Sequence, residues 1–280
     1  MEQDHLLAKN GCATILEIST TRSKLNQELR IKGSGANGIG PLRPFIPYYG
    51  GKWRDALKHY PRPEFKTIVE PFAGSAGYSL RYPELQIILC ELDPVVASVW
   101  KYLTKAKPAE IRNIPDIASD GSVDELKVCQ EAKWLVGFWL NRAAAGPRKT
   151  PSKWMRDRIR PGSFWGKRVR ETIASQVEVI RHWKVYNCSY AECPSFRTAT
   201  WFIDPPYQRA GKYYRFGSSL IDYVGLAAWC RSRSGQVIVC ENEGATWLPF
   251  RGLADVKTTR ANRRSKEVYW LNSFEPSGEL

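Results

Sequence analysis

Histidine is scarce in this sequence. The 280-residue chain contains only His5, His59 and His182, and none lies near cysteines or carboxylates at the spacing of metal ligands. A metal site and a Ser-His catalytic triad are therefore not expected. The seven cysteines are odd in number and include no C-x-x-C pair. We expect them to be reduced, mostly buried thiols of a cytosolic protein.

Long apolar runs are also missing. The N-terminal stretch MEQDHLLAKNG has neither a basic n-region nor an apolar h-region. Runs such as Ile87 to Cys90 are far shorter than a membrane span. We therefore expect a cytoplasmic protein without a membrane partner.

Positive charge is in excess. Lys and Arg number 42 against 28 Asp and Glu, which gives a formal net charge of +14. This balance favours a polyanionic partner, usually nucleic acid, although a well-solvated basic surface gives the same count. Between 131 and 184 there are 13 Lys or Arg and four acids, so the excess is concentrated there.

Short apolar runs indicate buried parallel strands at 67–69, 87–90 and 201–203, because they lack period-two alternation and are too short for helices. Helical spacing follows the second run, and a helix is expected from Tyr78 onward after the first. Further along, the pattern predicts a helix around 220–233, and the stretches QVIVCEN and KEVYWLN are typical of strands. Such strand–loop–helix units predict an α/β fold with a doubly wound parallel sheet.

Composition divides the chain into three parts. Residues 1–40 lead into a glycine-rich linker, KGSGANGIGP. The ranges 41–103 and 199–280 carry the strand–helix pattern and are interpreted as one domain. Residues 104–198 between them are basic and mainly helical, with helical stretches predicted at 124–142 and 167–183.

The stretch Asp204-Pro205-Pro206-Tyr207 directly follows the third apolar run. Two prolines remove two amide donors and end the strand, which leaves local carbonyls free beside the acid. In open α/β sheets, ligands bind outside the carboxyl ends of the strands. An acid, free carbonyls and an aromatic ring suit a nucleobase with an exocyclic amine. The alternative is a strand-ending turn whose Asp caps a neighbouring group and whose Tyr packs.

A second turn, EPFAGSAG, follows the first predicted strand and lets a ligand approach the backbone closely. It is neither G-x-G-x-x-G nor a phosphate loop with G-K-[ST], which weakens the dinucleotide and nucleoside triphosphate interpretations. After the next strand, Glu91 and Asp93 stand where an acid accepts hydrogen bonds from ribose hydroxyls. Together these features favour an adenosyl ligand without a phosphate.

Four motifs follow one another in this chain: Tyr48-Tyr49-Gly50-Gly51-Lys52, Val69-Glu70-Pro71-Phe72-Ala73-Gly74, Glu91-Leu92-Asp93 and Asp204-Pro205-Pro206-Tyr207. In this order they resemble the motifs of the Dam-type S-adenosylmethionine-dependent DNA adenine N6-methyltransferases. The resemblance covers roughly 41–103 and 199–275, and it covers the basic region only by position and charge. It implies a Rossmann-like S-adenosylmethionine-dependent methyltransferase sheet, an inserted target-recognition region at 104–198, double-stranded DNA as partner, and methylation of N6 of a flipped-out adenine.

The resemblance also implies residue roles. Asp204 and the Pro205 carbonyl would accept hydrogen bonds from the adenine amine, and Tyr207 would stack on the base. The implied catalytic set is Asp204, Pro205, Pro206 and Tyr207. The S-adenosylmethionine set is Tyr48, Tyr49, Gly51, Lys52, Glu70, Pro71, Phe72, Gly74, Glu91 and Asp204. For DNA binding, charge and position select Arg142, Arg148, Lys149, Lys153, Arg156, Arg158, Arg160, Arg209 and Lys212.

Two departures from the family pattern are expected to change cofactor affinity without abolishing it: Ala76 stands in the glycine loop, and Glu91 replaces the usual Asp. Other acceptors remain open, namely N4 of cytosine, RNA and a protein amide, as does a catalytically silent DNA-binding module on the same scaffold. Asp204 together with Lys52 favours adenine. The resemblance further implies a monomer in a bacterial or phage-infected cell, with a cognate restriction endonuclease as a partner if the enzyme serves restriction.

Overall fold

A seven-stranded sheet organises the part of the chain described by the computed structural model, which covers residues 40–53, 58–141, 144–157, 163–257 and 264–274. The strands are β1 (Thr67–Glu70), β2 (Gln86–Glu91), β3 (Lys184–Asn187), β4 (Ala199–Ile203), β5 (Gly235–Asn242), β6 (Arg251–Lys257) and β7 (Arg264–Leu271). The α-helices are α1 (Pro94–Leu103), α2 (Pro108–Asn113), α3 (Gln130–Trp139), α4 (Lys153–Arg156), α5 (Lys167–Ala174) and α6 (Tyr223–Arg231). The chain divides into Met1–Gly40 and Pro41–Leu280, and the sheet belongs to the second unit.

The strand order is β3-β2-β1-β4-β5-β7-β6. Strands β1 to β5 pair in parallel, whereas β7 is antiparallel to both β5 and β6. The chain moves outward from β1 to β3 and returns to β4 on the other side of β1, which creates a topological switch point between β1 and β4. This order differs from the dinucleotide-binding order 3-2-1-4-5-6, because the antiparallel strand β7 lies between β5 and β6. The predicted α/β class is confirmed, and the sheet is compatible with a Rossmann-like fold.

The central strands are apolar on both faces because each face covers a separate core. Ile68, Phe202 and Ile238 contribute to one core, while Val69 and Trp201 contribute to the other. In the first core, the ring of Tyr78 stacks on that of Phe202 with centroids 4.2 Å apart. Burial on both sides explains why the sequence shows continuous apolar runs instead of alternation.

Aspartates cap the helices that follow β2 and precede β5. The Asp93 carboxylate accepts a hydrogen bond from the Val95 amide at 2.9 Å, and Pro94 occupies the first position of α1. The Asp222 carboxylate accepts one from the Val224 amide at 3.0 Å at the start of α6. Each carboxylate satisfies an amide that the helix itself leaves without an acceptor.

Several predicted elements differ from those in the structure. The helix expected from Tyr78 is only a 3₁₀ turn, Ser79–Arg81, and it stops before Pro83, which disfavours helix in the preceding residue. The helical stretches at 124–142 and 167–183 shorten to α3 and α5. Strand β3 lies inside the range assigned to the insertion, so that range also supplies an edge of the sheet. Its four residues are largely exposed and carry no apolar run that would signal a strand.

The expectation that every cysteine is reduced is wrong for one pair. Cys90 on β2 and Cys193 form a disulfide across a sequence separation of 103 residues. Their proximity depends on the pairing of β2 with β3, which sequence spacing does not reveal. Of the other cysteines in the described residues, Cys230 and Cys240 are buried free thiols.

No helix among the described residues combines the length and the apolar character needed to cross a membrane. The same residues contain no group of three or more His, Cys, Asp or Glu side chains arranged to hold a metal ion.

Candidate active site

The carboxyl ends of the parallel strands bring the sequence-predicted site residues to one edge of the sheet. The turn after β1 begins at Pro71, β2 ends at Glu91, and β4 is followed directly by Asp204. Because β1 and β4 are neighbours at the switch point, the two turns flank the crevice where ligands bind in open α/β sheets.

Asp204 forms an ion pair with Lys52. Lys52 Nζ lies 3.1 Å from Asp204 Oδ1 and donates a hydrogen bond to the Gly50 carbonyl at 3.0 Å. Burial alone would lower the pKa of Lys52, but the carboxylates of Asp204 and Glu267 raise it above its ordinary value. Lys52 is therefore a buried ammonium.

The Asp204 carboxylate is held at the end of the fully buried strand β4, and its side chain is 20% exposed. Burial raises the pKa of Asp204 and the charge of Glu267 raises it further, while Lys52 acts in the opposite direction. Asp204 is consequently a stronger proton acceptor than an exposed aspartate.

Of the two proline carbonyls, one is engaged by a donor and the other is not. The Pro206 carbonyl accepts a hydrogen bond from the Tyr223 hydroxyl at 2.6 Å, and the Gln208 amide donates to Glu241 Oε2 at 3.0 Å. No group in the described part of the chain donates to the Pro205 carbonyl. The turn is thus fixed at Pro206 and Gln208, while the Pro205 carbonyl next to Asp204 remains an acceptor without a donor in the described part of the chain.

Tyr207 completes the corner. Its ring centroid lies 4.6 Å from Lys52 Nζ, within cation–π range, and its hydroxyl donates to Glu267 Oε2 at 2.5 Å. Burial raises the pKa of Tyr207, as do the nearby carboxylates of Asp204 and Glu267, so the side chain remains a neutral phenol. Glu267 fixes the hydroxyl of Tyr207, and Asp204 fixes the ammonium of Lys52, so residues distant in sequence hold both partners of the cation–π contact.

The turn after β1 is built on the Glu91 side chain. Glu91 Oε2 accepts a hydrogen bond from the Gly74 amide and Oε1 accepts one from the Asp93 amide, both at 2.9 Å. Burial raises the pKa of Glu91 to about 7, against the effect of these two bonds. Gly74 and Ala76 both have positive φ, 45° and 50°. The predicted ribose-binding acid therefore also shapes the loop, and each of its oxygens keeps lone pairs for a further donor.

Glu70, Pro71 and Phe72 are engaged with the protein itself. Glu70 is 2% exposed and accepts a hydrogen bond from the Ser79 amide at 2.7 Å, and burial raises its pKa to about 8. Pro71 is buried, and the Phe72 ring stacks on Tyr190 at 5.5 Å. Their observed contacts are those of residues that support the turn.

Tyr48 and Tyr49 contact the segment that follows the corner formed by Asp204 to Tyr207. The Tyr214 ring lies 5.9 Å from that of Tyr48 and 5.6 Å from that of Tyr49, and its hydroxyl donates to the Tyr49 carbonyl at 3.2 Å. The Gly74 turn also approaches here, because a Cβ at Gly74 would lie 3.2 Å from Tyr48 Cδ1. Gly51 is equally confined, since a Cβ there would lie 2.6 Å from Ser75 Oγ. The predicted cofactor-binding residues Tyr48, Tyr49, Gly51, Lys52 and Gly74 are thus brought together.

Gly211 is the point where this segment packs on the corner formed by Asp204 to Tyr207. A Cβ at Gly211 would lie 2.6 Å from the Pro206 carbonyl carbon and 2.8 Å from Pro206 Cβ. We expect Gly211→Ala to reduce the free energy of unfolding by about 1–3 kcal/mol, because backbone must move to admit the methyl group. Urea denaturation measures this loss. Gly252→Ala is the matched control, since open space surrounds Gly252; equal stability of the two variants would contradict the packing described.

The cations predicted to bind DNA are exposed wherever they lie among the described residues: Arg148, Lys149, Lys153, Arg156, Arg209 and Lys212. Arg142, Arg158 and Arg160 lie outside those residues. The stretch 144–157 is tied to the site, because Ala144 pairs with Tyr48 and accepts a hydrogen bond from the Tyr49 amide at 3.2 Å. Among these six exposed cations, all within the described residues, Lys149 is the one that forms a salt bridge, with Asp124 at 2.8 Å.

Sequence reasoning missed Glu267, Glu241 and Tyr223. Glu267 and Glu241 are 7% and 0% exposed, on β7 and β5 respectively. The signal was an acid inside each of the apolar runs KEVYWLN and QVIVCEN, since a buried carboxylate requires hydrogen-bond donors or a counter-charge. Tyr223 gave no comparable signal.

The comparisons add no relative to this picture. No model of a known protein family matches the chain, and no curated protein matches it either. Its resemblance to a family rests on the motifs quoted above and on their order.

Proposed function

We propose that this chain is a site-specific DNA methyltransferase that transfers a methyl group from S-adenosylmethionine to N6 of an adenine extruded from duplex DNA. One observation carries the proposal: the Asp204 carboxylate stands beside the Pro205 carbonyl, to which no described residue donates a hydrogen bond. Two adjacent acceptors suit the two hydrogens of one amino group. A strand-ending turn without a ligand has no need of this pair.

The fit of S-adenosylmethionine is supported by the residues around the crevice. The turn at Gly74 has the positive φ that permits close backbone approach, and it lacks a phosphate-binding motif. Glu91 keeps lone pairs for ribose hydroxyls. Asp204 and Glu267 together exceed Lys52 by one negative charge, which suits a cationic ligand. When bound, the cofactor supplies a methyl group activated by its sulfonium.

The residues of the corner would prepare the acceptor. An exocyclic amine is a poor nucleophile, because its lone pair is delocalised into the ring. Hydrogen bonds from both amine hydrogens to Asp204 and to the Pro205 carbonyl would favour a pyramidal nitrogen, which reduces the delocalisation and directs the lone pair at the methyl group. Both acceptors are fixed before the reaction, so no reorganisation is needed at the moment of transfer. Asp204, with its raised pKa, then accepts the proton that leaves the nitrogen.

Extrusion of the base follows from the chemistry, because N6 is paired inside a duplex. Unstacking costs a few kcal/mol, which stacking on Tyr207 would offset in part. Lys52 covers one face of the Tyr207 ring, so a base would use the other face. The exposed cations Arg148, Lys153 and Arg156 would contact phosphates near the site.

The proposal is tested with isotopically labelled S-adenosylmethionine in parallel reactions that contain unmethylated duplex DNA, RNA or a protein extract. Mass spectrometry of the digested nucleosides identifies the methylated base, and single-molecule sequencing of the intact duplex gives its sequence context. We expect label in N6-methyladenine within one short sequence context. Label in N4-methylcytosine would move the acceptor to cytosine. Label found only in RNA or protein would replace the substrate class, and cofactor binding without transfer would indicate a silent scaffold.

A further inference from the structure

Glu267 is a buried acid that enters the proposed function only through its charge. It lies on β7, the antiparallel strand, and is 7% exposed. An acid is rarely buried to this degree without a partner. The groups that contact Glu267 therefore indicate its role.

Both oxygens of Glu267 accept hydrogen bonds. Oε2 accepts from the Tyr207 hydroxyl at 2.5 Å, and Oε1 accepts from the Ser265 hydroxyl at 3.3 Å. Hydrogen bonds from a hydroxyl to a carboxylate are shorter and stronger than those between neutral groups. The contact with Tyr207 fixes the far end of a ring whose face lies 4.6 Å from the Lys52 ammonium.

Glu267 also acts on its neighbours through its charge. It raises the pKa of Lys52 and of Asp204, which themselves form the 3.1 Å ion pair. Lys52 therefore interacts electrostatically with two carboxylates, that of Asp204 at 3.1 Å and that of the buried Glu267. The other titratable groups that interact electrostatically with Asp204 from surrounding elements are Tyr60, Glu70, Tyr207, Tyr214, Cys240 and Glu241.

We propose that Glu267 is a positioning residue of this site: its hydrogen bond anchors the Tyr207 hydroxyl and so fixes the Tyr207 ring against Lys52, and its charge acts on the ion pair of Lys52 with Asp204. The role in transfer rests on the proposed function, whereas the role in the free protein does not. Glu267 acts through Tyr207, Lys52 and Asp204, and it touches no reacting atom.

Two substitutions separate the hydrogen bond from the charge. Glu267→Gln keeps an oxygen that can accept from Tyr207 and removes the negative charge. Glu267→Leu removes both. Glu243→Gln is the matched control, because Glu243 follows β5 near the start of β7, is 63% exposed and pairs with Lys266 outside the site.

The first measurement uses the free protein and needs no transfer. NMR of protein labelled with ¹³C at the aspartate carboxyl carbons, with the Asp204 signal assigned by its loss in Asp204→Asn, reports the pKa of Asp204. Because the charge of Glu267 disfavours ionisation of Asp204, Glu267→Gln is expected to lower that pKa by about one unit. Glu243→Gln should leave it unchanged. An unchanged Asp204 pKa in Glu267→Gln would overturn the proposed role of the charge.

The second measurement uses methyl transfer to duplex DNA. The acid limb of the kcat profile should move to lower pH in Glu267→Gln, which a purely structural role would not cause. Glu267→Leu should lower kcat roughly tenfold, the effect of about 1.4 kcal/mol. Adding Tyr207→Phe to Glu267→Leu should lower it little further, whereas multiplied losses would overturn the anchoring of Tyr207. A wild-type chain without transfer would refute the proposed function and leave the NMR result to decide the role of Glu267.

Discussion

Asp204→Asn is expected to reduce methyl transfer roughly 10²–10³-fold, the loss typical when one preorganised hydrogen-bonding group is removed from an active site. Asn keeps the shape of Asp but replaces one acceptor oxygen with a donor and removes the negative charge. The amine would then face a neutral and weaker acceptor, and Lys52 would lose the negative charge that lies 3.1 Å away. Binding of S-adenosylmethionine should change little, because the turn at Gly74 is built on Glu91.

Single-turnover transfer and calorimetric titration of the cofactor measure the two effects separately. Asp222→Asn provides the same chemical change at the exposed start of α6, where Asn is an equally good cap. That control should transfer at the wild-type rate. Wild-type transfer by Asp204→Asn would remove Asp204 from the mechanism, whatever the control shows.

Lys52→Met is expected to lower the free energy of unfolding by about 3–5 kcal/mol near neutral pH, because it leaves the carboxylates of Asp204 and Glu267 without their counter-charge. The loss should be smaller at low pH. Burial and Glu267 raise the pKa of Asp204, and without Lys52 that pKa rises further. A carboxyl group whose folded pKa exceeds its unfolded pKa contributes stability below the unfolded value and loses it as pH rises through the folded value.

Denaturant unfolding of wild type and Lys52→Met between pH 4 and pH 8 tests this expectation, in the range where carboxyl groups with raised pKa values titrate. Lys58→Met is the control, since Lys58 is exposed and its replacement should cost well under 1 kcal/mol. A destabilisation of Lys52→Met that does not vary with pH would show that packing, and not charge, makes Lys52 important.

The sequence allowed the centre of the sheet and the turn from Asp204 to Tyr207 to be predicted, because both depend on local signals. The run Trp201 to Ile203 is apolar since both its faces are covered, and Pro205 and Pro206 end the strand through their own geometry. A strand at QVIVCEN was predicted for the same reason and corresponds to β5. The acid at Asp204 therefore had a predictable place at the carboxyl edge.

Features that depend on long-range pairing could not be predicted. Glu267 reaches Tyr207 only because β7 pairs antiparallel with β5, and Cys90 reaches Cys193 only because β3 lies beside β2. Strand β3 is short and largely exposed, so it has little hydrophobic pattern. The capture of the Ser79 amide by Glu70 likewise needs the folded turn, because it joins residues nine apart through a buried contact.

The most direct test of the central claim is a crystal structure of the chain with duplex DNA containing its target site and a non-transferable analogue of S-adenosylmethionine. We predict an adenine extruded from the duplex, with its N6 within hydrogen-bond distance of both Asp204 and the Pro205 carbonyl and its ring on the face of Tyr207 opposite Lys52. An adenine that remains stacked, or an extruded base whose amine binds elsewhere, would contradict the proposed role of this corner.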